Sequence, residues 1–310
     1  MSDAISSARI IECYGRRVVL ELQDGTHAQA EVFGKRLKVV CGDEVTVADN
    51  PATHALQVME VLPRRTHLTR TDSRGQAEVL AANITQLAVL ISEQPKADPF
   101  IVDRYLAGAE LGNIKAIVVA TKSDIGRSES FKTTLADYRS AGYEVFDVAV
   151  NKATVSDAST DCLAELRQTL ANETSMLVGE SGVGKSTLTN ALLGNNNQLT
   201  RELSDATGEG RHTTVSSALI KLPYGGALID SPGVRDYAPP PVGDLQVPFA
   251  WREFRRYDGQ CKFNNCLHLR EPGCAIIAAV DKNEISARRY ESYKRLINLM
   301  RQLLPSYERR

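Results

Sequence analysis

The chain has 310 residues, of which 43% are hydrophobic and 24% are charged, and its formal net charge is −1. This length predicts two or three domains, and the composition is that of an ordinary globular protein. No apolar stretch is long enough to span a bilayer and residues 1–4 begin no signal peptide, so we expect a cytoplasmic protein without membrane contact. In that reducing compartment the six cysteines argue against a disulfide framework.

The first 70 residues have the pattern of a small β-barrel. Short β-rich runs alternate with turn residues, and Asp24-Gly25 is typical of a tight hairpin turn. The predicted strands are Arg9–Tyr14, Arg17–Leu22, Thr26–Val32, Glu44–Ala48 and Leu56–Val61. Five strands in so short a span favour an OB-fold over residues 1–70, which would either bind an oligonucleotide or serve only as a structural barrel.

From residue 85 the pattern changes to alternating strands and helices, which predicts a mostly parallel sheet covered by helices on both faces within residues 71–237. The predicted strands are Leu87–Ile91, Ile114–Ala120, Tyr143–Val148, Ser175–Val178, Ser216–Leu222 and Ala227–Asp230. The predicted helices are Pro99–Leu111, Ser130–Ser140, Asp157–Leu170 and one that starts at Thr187. Asp98 is expected to cap the first of these helices.

A candidate base-binding segment follows the second of these strands. It consists of Thr121, Lys122, Ser123 and Asp124, directly after a buried strand that ends at Ala120. The Asp124 carboxylate could accept two hydrogen bonds from guanine, from N1–H and from the 2-amino group, a pair that adenine lacks. A TKxD sequence by itself is more often a capped turn than a base site, so this interpretation depends on its context.

The strand that ends at Val178 continues into a complete GxxxxGK[ST] phosphate loop. In such a loop successive backbone N–H groups surround the phosphates, Lys185 reaches the β- and γ-phosphates, and the Ser186 hydroxyl binds Mg²⁺. A glycine-rich strand–helix turn without a ligand is the alternative. The predicted nucleotide contacts are Gly179, Glu180, Ser181, Gly182, Val183, Gly184, Lys185, Ser186 and Thr187.

Residues 208–214 could complete the phosphate site. They are Gly-rich and polar, as expected of a segment that becomes ordered around a γ-phosphate and Mg²⁺. Thr213 or Thr214 could bind the metal, and His212 could orient the attacking water. For a single histidine in a loop, the alternative is a solvent-exposed side chain without a role in catalysis.

A DxxG pattern lies directly after the last predicted strand. Its aspartate, Asp230, could reach Mg²⁺ through water, and the backbone N–H of Gly233 could contact the γ-phosphate. The chain then enters a proline-rich segment, residues 237–248, which is expected to be stiff. Because the base-binding segment precedes the phosphate loop, this exit leads straight to the C-terminal region, and we expect the nucleotide state to be transmitted through residues 234–248.

Residues 238–310 are predicted to form a small, mostly helical domain around a metal ion. Cys261, Cys266, His268 and Cys274 have the spacing C-x₄-C-x-H-x₅-C, which offers a complete tetrahedral set for structural zinc. Iron–sulfur ligation fits less well with a histidine in the set. So short a region can build little core, and metal binding would therefore supply much of its folding free energy.

A terminal helix is predicted over Glu284–Leu304, with apolar residues at spacings of three and four on one face. The opposite face is predicted to hold Arg288, Arg289, Lys294 and Arg295. Residues 251–310 contain 13 Lys and Arg against seven Asp and Glu. This excess of positive charge is compatible with a polyanionic partner such as RNA, and equally with a solvated helix that has no partner.

The combination of motifs resembles the circularly permuted GTPases called ribosome small-subunit-dependent GTPase A (RsgA/YjeQ), over nearly the whole chain. The resemblance is carried by Leu80–Gln86, Asp103–Leu106, Gly210–Thr214, Asp230–Val234 and Cys261–Cys274. It implies an OB domain, a permuted GTPase domain and a zinc domain. The implied ligands are GTP with Mg²⁺ and one structural zinc ion. It also implies binding to the small ribosomal subunit and its rRNA late in assembly, with hydrolysis stimulated by the subunit. We expect a monomer.

Three positions depart from common GTPase patterns. Val234 follows the DxxG glycine where many GTPases have a water-orienting glutamine, so the resemblance assigns that role to His212. Thr121 replaces the usual asparagine of NKxD and removes a side-chain amide that normally braces the site. The pair expected to contact the guanine carbonyl is Ala149-Val150 instead of Ser-Ala.

The sequence therefore predicts a GTP hydrolase that uses hydrolysis to time its release from the maturing small subunit, with His212 and Lys185 as catalytic residues. Two other functions stay open at this point. One is a P-loop ATPase or kinase, in which Asp124 would not select guanine. The other is a zinc-stabilised RNA-binding protein whose nucleotide site is only a structural latch.

Overall fold

The computed structural model describes residues 6–34, 36–50, 55–71, 75–150, 160–194, 217–230 and 237–304. Its first five strands close into a barrel, which confirms the predicted N-terminal domain type. They are β1 (Ser6–Tyr14), β2 (Arg17–Glu21), β3 (His27–Val32), β4 (Glu44–Asp49) and β5 (Leu56–Val61). The order is β1-β2-β3-β5-β4, and β4 pairs back with β1 to close the barrel. Ile10, Leu20, Val45 and Val58 fill its interior without exposure to solvent.

The central domain has the alternating architecture that the sequence predicts. Its strands are β8 (Gln86–Ile91), β9 (Lys115–Ala120), β10 (Glu144–Asp147), β11 (Thr174–Val178), β12 (Ser217–Lys221) and β13 (Ala227–Asp230). They lie in the order β10-β9-β8-β11-β13-β12, and every pair is parallel except β13 with β12. The helices are α1 (Pro99–Leu111), α2 (Glu129–Ser140), α3 (Thr160–Leu170) and α4 (Lys185–Leu193). Separate apolar clusters lie on the two faces of the sheet, as alternating strands and helices require.

Two features of the β-structure are absent from the sequence-based prediction. A hairpin of β6 (His67–Thr71) and β7 (Ala77–Ala82) connects the barrel to the central domain. Strand β12 also pairs with β1, so the barrel and the central sheet form one continuous 11-stranded sheet. The domain limits at residues 70 and 237 stay predictions.

The C-terminal region contains α5 (Ala275–Asp281) and α6 (Ala287–Leu303), of which only α6 is predicted from the sequence. Trp251, Phe254, Tyr293 and Leu296 form the centre of its apolar cluster. In the parts of the chain that the structure describes, no helix has the length and apolar character needed to cross a membrane.

The predicted exposed face of α6 is wrong for Arg289. This side chain is only 1% exposed and belongs to the buried face of the helix. The reason is its position four residues before Tyr293, which places it on the apolar stripe. Its charge is compensated there by Glu253 and Asp103, to which it donates hydrogen bonds of 2.6 Å each.

Candidate functional site

The predicted phosphate loop connects β11 to the N-terminus of α4, at the carboxyl end of the parallel strands. Gly182 and Gly184 have φ angles of 79° and 101°, which favour glycine because a Cβ would be strained there. A Cβ on Gly179 would lie 2.7 Å from the carbonyl oxygen of Leu90, so this glycine lets the loop pass close to β8. The loop therefore presents its backbone at a helix N-terminus, an arrangement suited to a phosphate.

Lys185 of the phosphate loop and Asp230 at the end of β13 each shift the pKa of the other. Lys185 Nζ donates hydrogen bonds to the carbonyl oxygens of Gly179 at 2.8 Å and Glu180 at 2.9 Å. Burial lowers the pKa of Lys185, and the charge of Asp230 partly offsets this effect. Burial raises the pKa of the Asp230 carboxyl, and Lys185 partly offsets that effect in turn. Phosphate and metal charges at this site would provide both groups with stronger partners.

Other predicted contacts of the loop are accessible to a ligand. Ser181, Ser186 and Thr187 are exposed, whereas Val183 is buried beneath the loop. Asp230 ends β13 and lies opposite Leu177 of the neighbouring strand β11, so the first residue of the DxxG pattern is beside the phosphate loop. His212, Thr213, Thr214 and Gly233 lie outside the described residues, and their roles stay predictions.

The TKxD segment is attached directly to the phosphate loop. The buried hydroxyl of Thr121 donates a hydrogen bond of 2.5 Å to the carbonyl oxygen of Val183. Lys122 Nζ donates to the carbonyl oxygens of Gly182 at 2.8 Å and Gln94 at 2.7 Å. Thr121 lacks the side-chain amide of the usual asparagine, and its hydroxyl contacts the backbone of the phosphate loop instead.

The candidate base-recognition residues lie on the outer side of this attachment. Ser123 and Asp124 belong to a short 3₁₀ helix, and Asp124 is exposed. The backbone N–H of Ser123 donates to the carbonyl oxygen of Val148 at 3.2 Å, which brings the Ala149-Val150 pair next to the TKxD segment. Asp124 is thus exposed at the same carboxyl end of the parallel strands as the phosphate loop.

Two positioning contacts cannot be found from local sequence patterns. The carboxylate of Glu180, inside the loop, accepts the backbone N–H of Asp98 at 3.0 Å. Arg127 donates to the carbonyl oxygen of Thr121 at 3.0 Å and forms an ion pair of 2.5 Å with Asp147. The contact between Glu180 and Asp98 spans 82 residues and the pair of Arg127 with Asp147 spans 20, so no local sequence pattern indicates either.

The Cys/His cluster is assembled as its spacing predicts. The ligand atoms of Cys261, Cys266, His268 and Cys274 all lie within 4.8 Å of one another. The sulfurs of Cys261 and Cys274 are 4.0 Å apart, and His268 Nδ1 is 3.5 Å and 3.4 Å from them. Around a tetrahedral zinc with Zn–S bonds of about 2.3 Å, two sulfurs are about 3.8 Å apart. The donor set and its dimensions therefore fit a tetrahedral metal ion.

The loop that carries these ligands is fixed by hydrogen bonds from outside the cluster. The Glu271 carboxylate accepts backbone N–H groups of Leu267 at 3.0 Å and Leu269 at 2.8 Å. From α6, the hydroxyls of Tyr290 and Tyr293 donate to the carbonyl oxygens of His268 and Leu267. These contacts hold the ligand loop against the terminal helix, so the metal site and α6 form one unit.

Comparisons with known proteins agree with this arrangement. Residues 61–238 match the family model of the RsgA GTPase. The chain is also 35% identical, over 303 residues, to the small ribosomal subunit biogenesis GTPase RsgA of Chromohalobacter salexigens, covering 94% of this chain and 85% of that relative. The chain belongs to the RsgA GTPase family. A second RsgA, from Nitrosomonas europaea, is 34% identical over 306 residues and covers 97% of this chain and 94% of its own length.

A solved structure has the same fold. YjeQ from Thermotoga maritima superposes with a TM-score of 0.69 at 24% sequence identity, covering 97% of this chain and 99% of that one. The predicted fold class, an OB-like barrel followed by a circularly permuted GTPase domain and a Cys/His region, is thereby confirmed. The resemblance to the RsgA family that the sequence motifs indicate is also confirmed.

Proposed function

We propose that this protein hydrolyses GTP to GDP and phosphate during late maturation of the small ribosomal subunit, and that the subunit stimulates hydrolysis. The observation that carries the guanine specificity is the double attachment of the TKxD segment to the phosphate loop by Thr121 and Lys122. It fixes the segment that carries Asp124 relative to the phosphate loop. RsgA relatives are named for small-subunit biogenesis, which supports the proposed partner.

Each group of site residues has a separate role in the proposed reaction. The loop backbone and Lys185 hold the phosphates, and Asp124 accepts two hydrogen bonds from guanine. Ser186 and Thr214 would bind Mg²⁺, Asp230 would reach it through water, and the metal would supply charge neutralisation at the β- and γ-phosphates. Gly233 would contact the γ-phosphate, and His212 would orient the attacking water, since Val234 offers no polar group for that purpose.

Zinc is the proposed metal at the Cys/His cluster. Three thiolates and one imidazole saturate a tetrahedral ion, so the site is structural and has no open position for a substrate. The fit rests on the sulfur–sulfur distance of 4.0 Å between Cys261 and Cys274. Small-subunit rRNA is the proposed partner of the barrel and the C-terminal region, and the protein is proposed to act as a monomer in the cytoplasm.

Turnover of GTP measured with and without purified small ribosomal subunits tests this function. We expect slow hydrolysis alone and strong stimulation by the subunit, with GTP outcompeting ATP for the site. Equal competition by ATP would favour the ATPase, and negligible hydrolysis with subunits present would favour an RNA-binding protein with a nucleotide latch.

The role of His212 is tested separately. The substitution His212→Ala should leave the affinity for GTP nearly intact and reduce stimulated turnover at least severalfold, because the residue acts on water and not on the nucleotide. Unchanged stimulated turnover in this variant would exclude the histidine from catalysis.

A further inference from the structure

Helix α1 contacts the phosphate loop at its N-terminus. The backbone N–H of Asp98, the N-cap residue, donates to the Glu180 carboxylate at 3.0 Å, and the Asp98 side chain accepts the N–H of Phe100 at 2.9 Å. One residue of the phosphate loop and the first turn of α1 are therefore joined by a charge-assisted hydrogen bond, which is stronger than a neutral one.

The same helix contacts the C-terminal region at its middle. Asp103, whose side chain is fully buried, accepts a hydrogen bond from Arg288 Nη1 at 2.9 Å and one from Arg289 Nη1 at 2.6 Å. Arg289 also donates to Glu253 at 2.6 Å and 2.9 Å. Burial disfavours the charged form of Arg289, but the charges of Glu253 and Asp103 outweigh it and raise its pKa. A buried network of this kind tolerates little displacement, since a lost partner leaves a buried charge unpaired.

A third contact fixes the chain where it leaves the nucleotide site. Tyr237 stacks on Tyr105 of α1 with ring centroids 4.3 Å apart and an angle of 13° between the rings. The next residue, Ala238, accepts the backbone N–H of Thr71 at 2.8 Å, and Pro239 accepts the Thr71 hydroxyl. Residues 237–239, which belong to the expected transmission segment, are thus held against α1 and β6.

We propose that α1 transmits the state of the phosphate loop to the C-terminal metal-binding region, and that Glu180 is the positioning residue that connects the loop to α1. Asp98 and Asp103 are separated by five residues of one helix, about 7.5 Å along its axis, so the two contacts move together. A phosphate that shifts the loop backbone at Glu180 acts on the Asp103–Arg288–Arg289 network through this rigid helix. The proposal rests on the proposed nucleotide binding.

Affinity for GDP tests the connection, because coupling between two sites is reciprocal. We expect Arg288→Ala to weaken GDP binding about threefold, within the range that substitutions along a coupling path produce. Arg288 does not touch the nucleotide site, and it is partly exposed, so the variant should fold. Arg256→Ala is the matched control, since Arg256 joins the same region to the Ser140 carbonyl of α2 and not to α1.

Variants of Glu180 turn this comparison into a double-mutant cycle between Glu180 and Arg288. Glu180→Gln keeps an oxygen that can accept the Asp98 N–H and should retain the sensitivity to Arg288→Ala, whereas Glu180→Ala should abolish it. The affinity of the double variant Glu180→Ala/Arg288→Ala for GDP should equal that of the single variant Glu180→Ala. The proposal would be overturned if the two substitutions weakened GDP binding independently, so that their fold-changes multiplied. It would also be overturned if Arg288→Ala bound GDP as tightly as the Arg256→Ala control.

A measurement without nucleotide separates this proposal from the proposed function. Amide hydrogen exchange of the nucleotide-free protein should become at least threefold faster in residues 286–292 when Glu180 is replaced by Ala, and Glu180→Gln should restore the slow exchange. If no variant bound GDP, the proposed function would fail, while exchange would still decide the coupling. Unchanged exchange in residues 286–292 would refute the role of α1.

Discussion

The barrel and the C-terminal region are attached to the central domain by different kinds of contact. On the barrel side, β1 pairs with β12, with Glu12 opposite Ala218 and Cys13 opposite Ser217. On the C-terminal side, arginine side chains donate to carboxylates of α1, above all Arg289 to Asp103. Backbone pairing depends little on which side chains are present, whereas a buried ion pair depends on both partners.

This difference implies that the two junctions are destabilised by different kinds of substitution. The barrel junction should fail when an added atom prevents two backbones from approaching, because the side chains that cross it, such as Lys221 to Glu21 and Arg9 to Thr174, are exposed or only partly buried. The C-terminal junction should fail when one charge is removed, because the remaining charge is buried without a partner. Substitutions at each junction can therefore be ranked by burial and by the space available.

Arg289→Met should have the largest effect. It leaves Asp103 and Glu253 buried with one partner fewer, which costs about 3–5 kcal/mol. Trp251 is the only tryptophan, is buried, and donates its indole N–H to the Arg289 carbonyl oxygen, so its fluorescence reports on this junction during urea unfolding. Lys294→Met, at a half-exposed position of the same helix where Lys294 pairs with the solvent-accessible Glu291, should change stability by less than about 1 kcal/mol. A similar loss in both variants would contradict the assigned burial of charge.

Gly42→Ala should have the next largest effect and tests the barrel junction. A Cβ at this position would lie 2.1 Å from the carbonyl oxygen of Ala82, and the φ angle is +92°. Strain and overpacking together should lower the free energy of unfolding by about 3 kcal/mol. Thermal unfolding followed by circular dichroism measures this loss. Gly25→Ala is the matched control, with a φ of +81° and no heavy atom within 4 Å of the added Cβ.

The control separates backbone strain from close packing. Gly25→Ala should cost only the strain, about 1 kcal/mol. If the two variants lost the same stability, the close approach of Gly42 to Ala82 would have no energetic consequence.

The parts of the molecule that sequence reasoning predicted are those with local signals. The phosphate loop, the TKxD segment and the Cys/His cluster have fixed spacings within a few residues. Barrel strands such as β2 and β4 alternate in burial, and central strands such as β8 and β9 are nearly continuous apolar runs. The β6–β7 hairpin was missed because it is short and includes the charged residues Arg70 and Glu78, which pair across the two strands.

Contacts between distant residues had no such signal. Arg289 was placed on the exposed face because an arginine is usually exposed, but Asp103, 186 residues away in sequence, compensates its charge. The brace from Thr121 to Val183 spans 62 residues, so its hydroxyl could not be recognised as a substitute for the asparagine amide. The error at Arg289 and the unrecognised contact of Thr121 both concern polar side chains whose partners are set by the fold.

Gly108→Ala should have an intermediate effect, on the contact between α1 and the chain that leaves the nucleotide site. The added Cβ would lie 2.1 Å from the hydroxyl of Tyr237, although alanine is the better helix former by about 1 kcal/mol. The clash should outweigh this gain, with a net loss of about 1–2 kcal/mol. Tyr237→Phe removes the clashing oxygen and should recover part of the loss in the double variant. Additive losses in thermal unfolding would contradict the contact.

Arg255→Ala should have the smallest effect, although Arg255 also forms an ion pair with α1. Its Nη2 lies 2.7 Å from Glu110 Oε2, but its side chain is 56% exposed, and Glu110 keeps a second partner in Arg252. Removing an exposed partner leaves no buried charge unpaired, so we expect a loss of less than about 1 kcal/mol that disappears in 1 M salt. The Trp251 fluorescence measurement in urea applies here as well. A loss as large as that of Arg289→Met would mean that the number of ion pairs, and not their burial, holds the C-terminal region to α1.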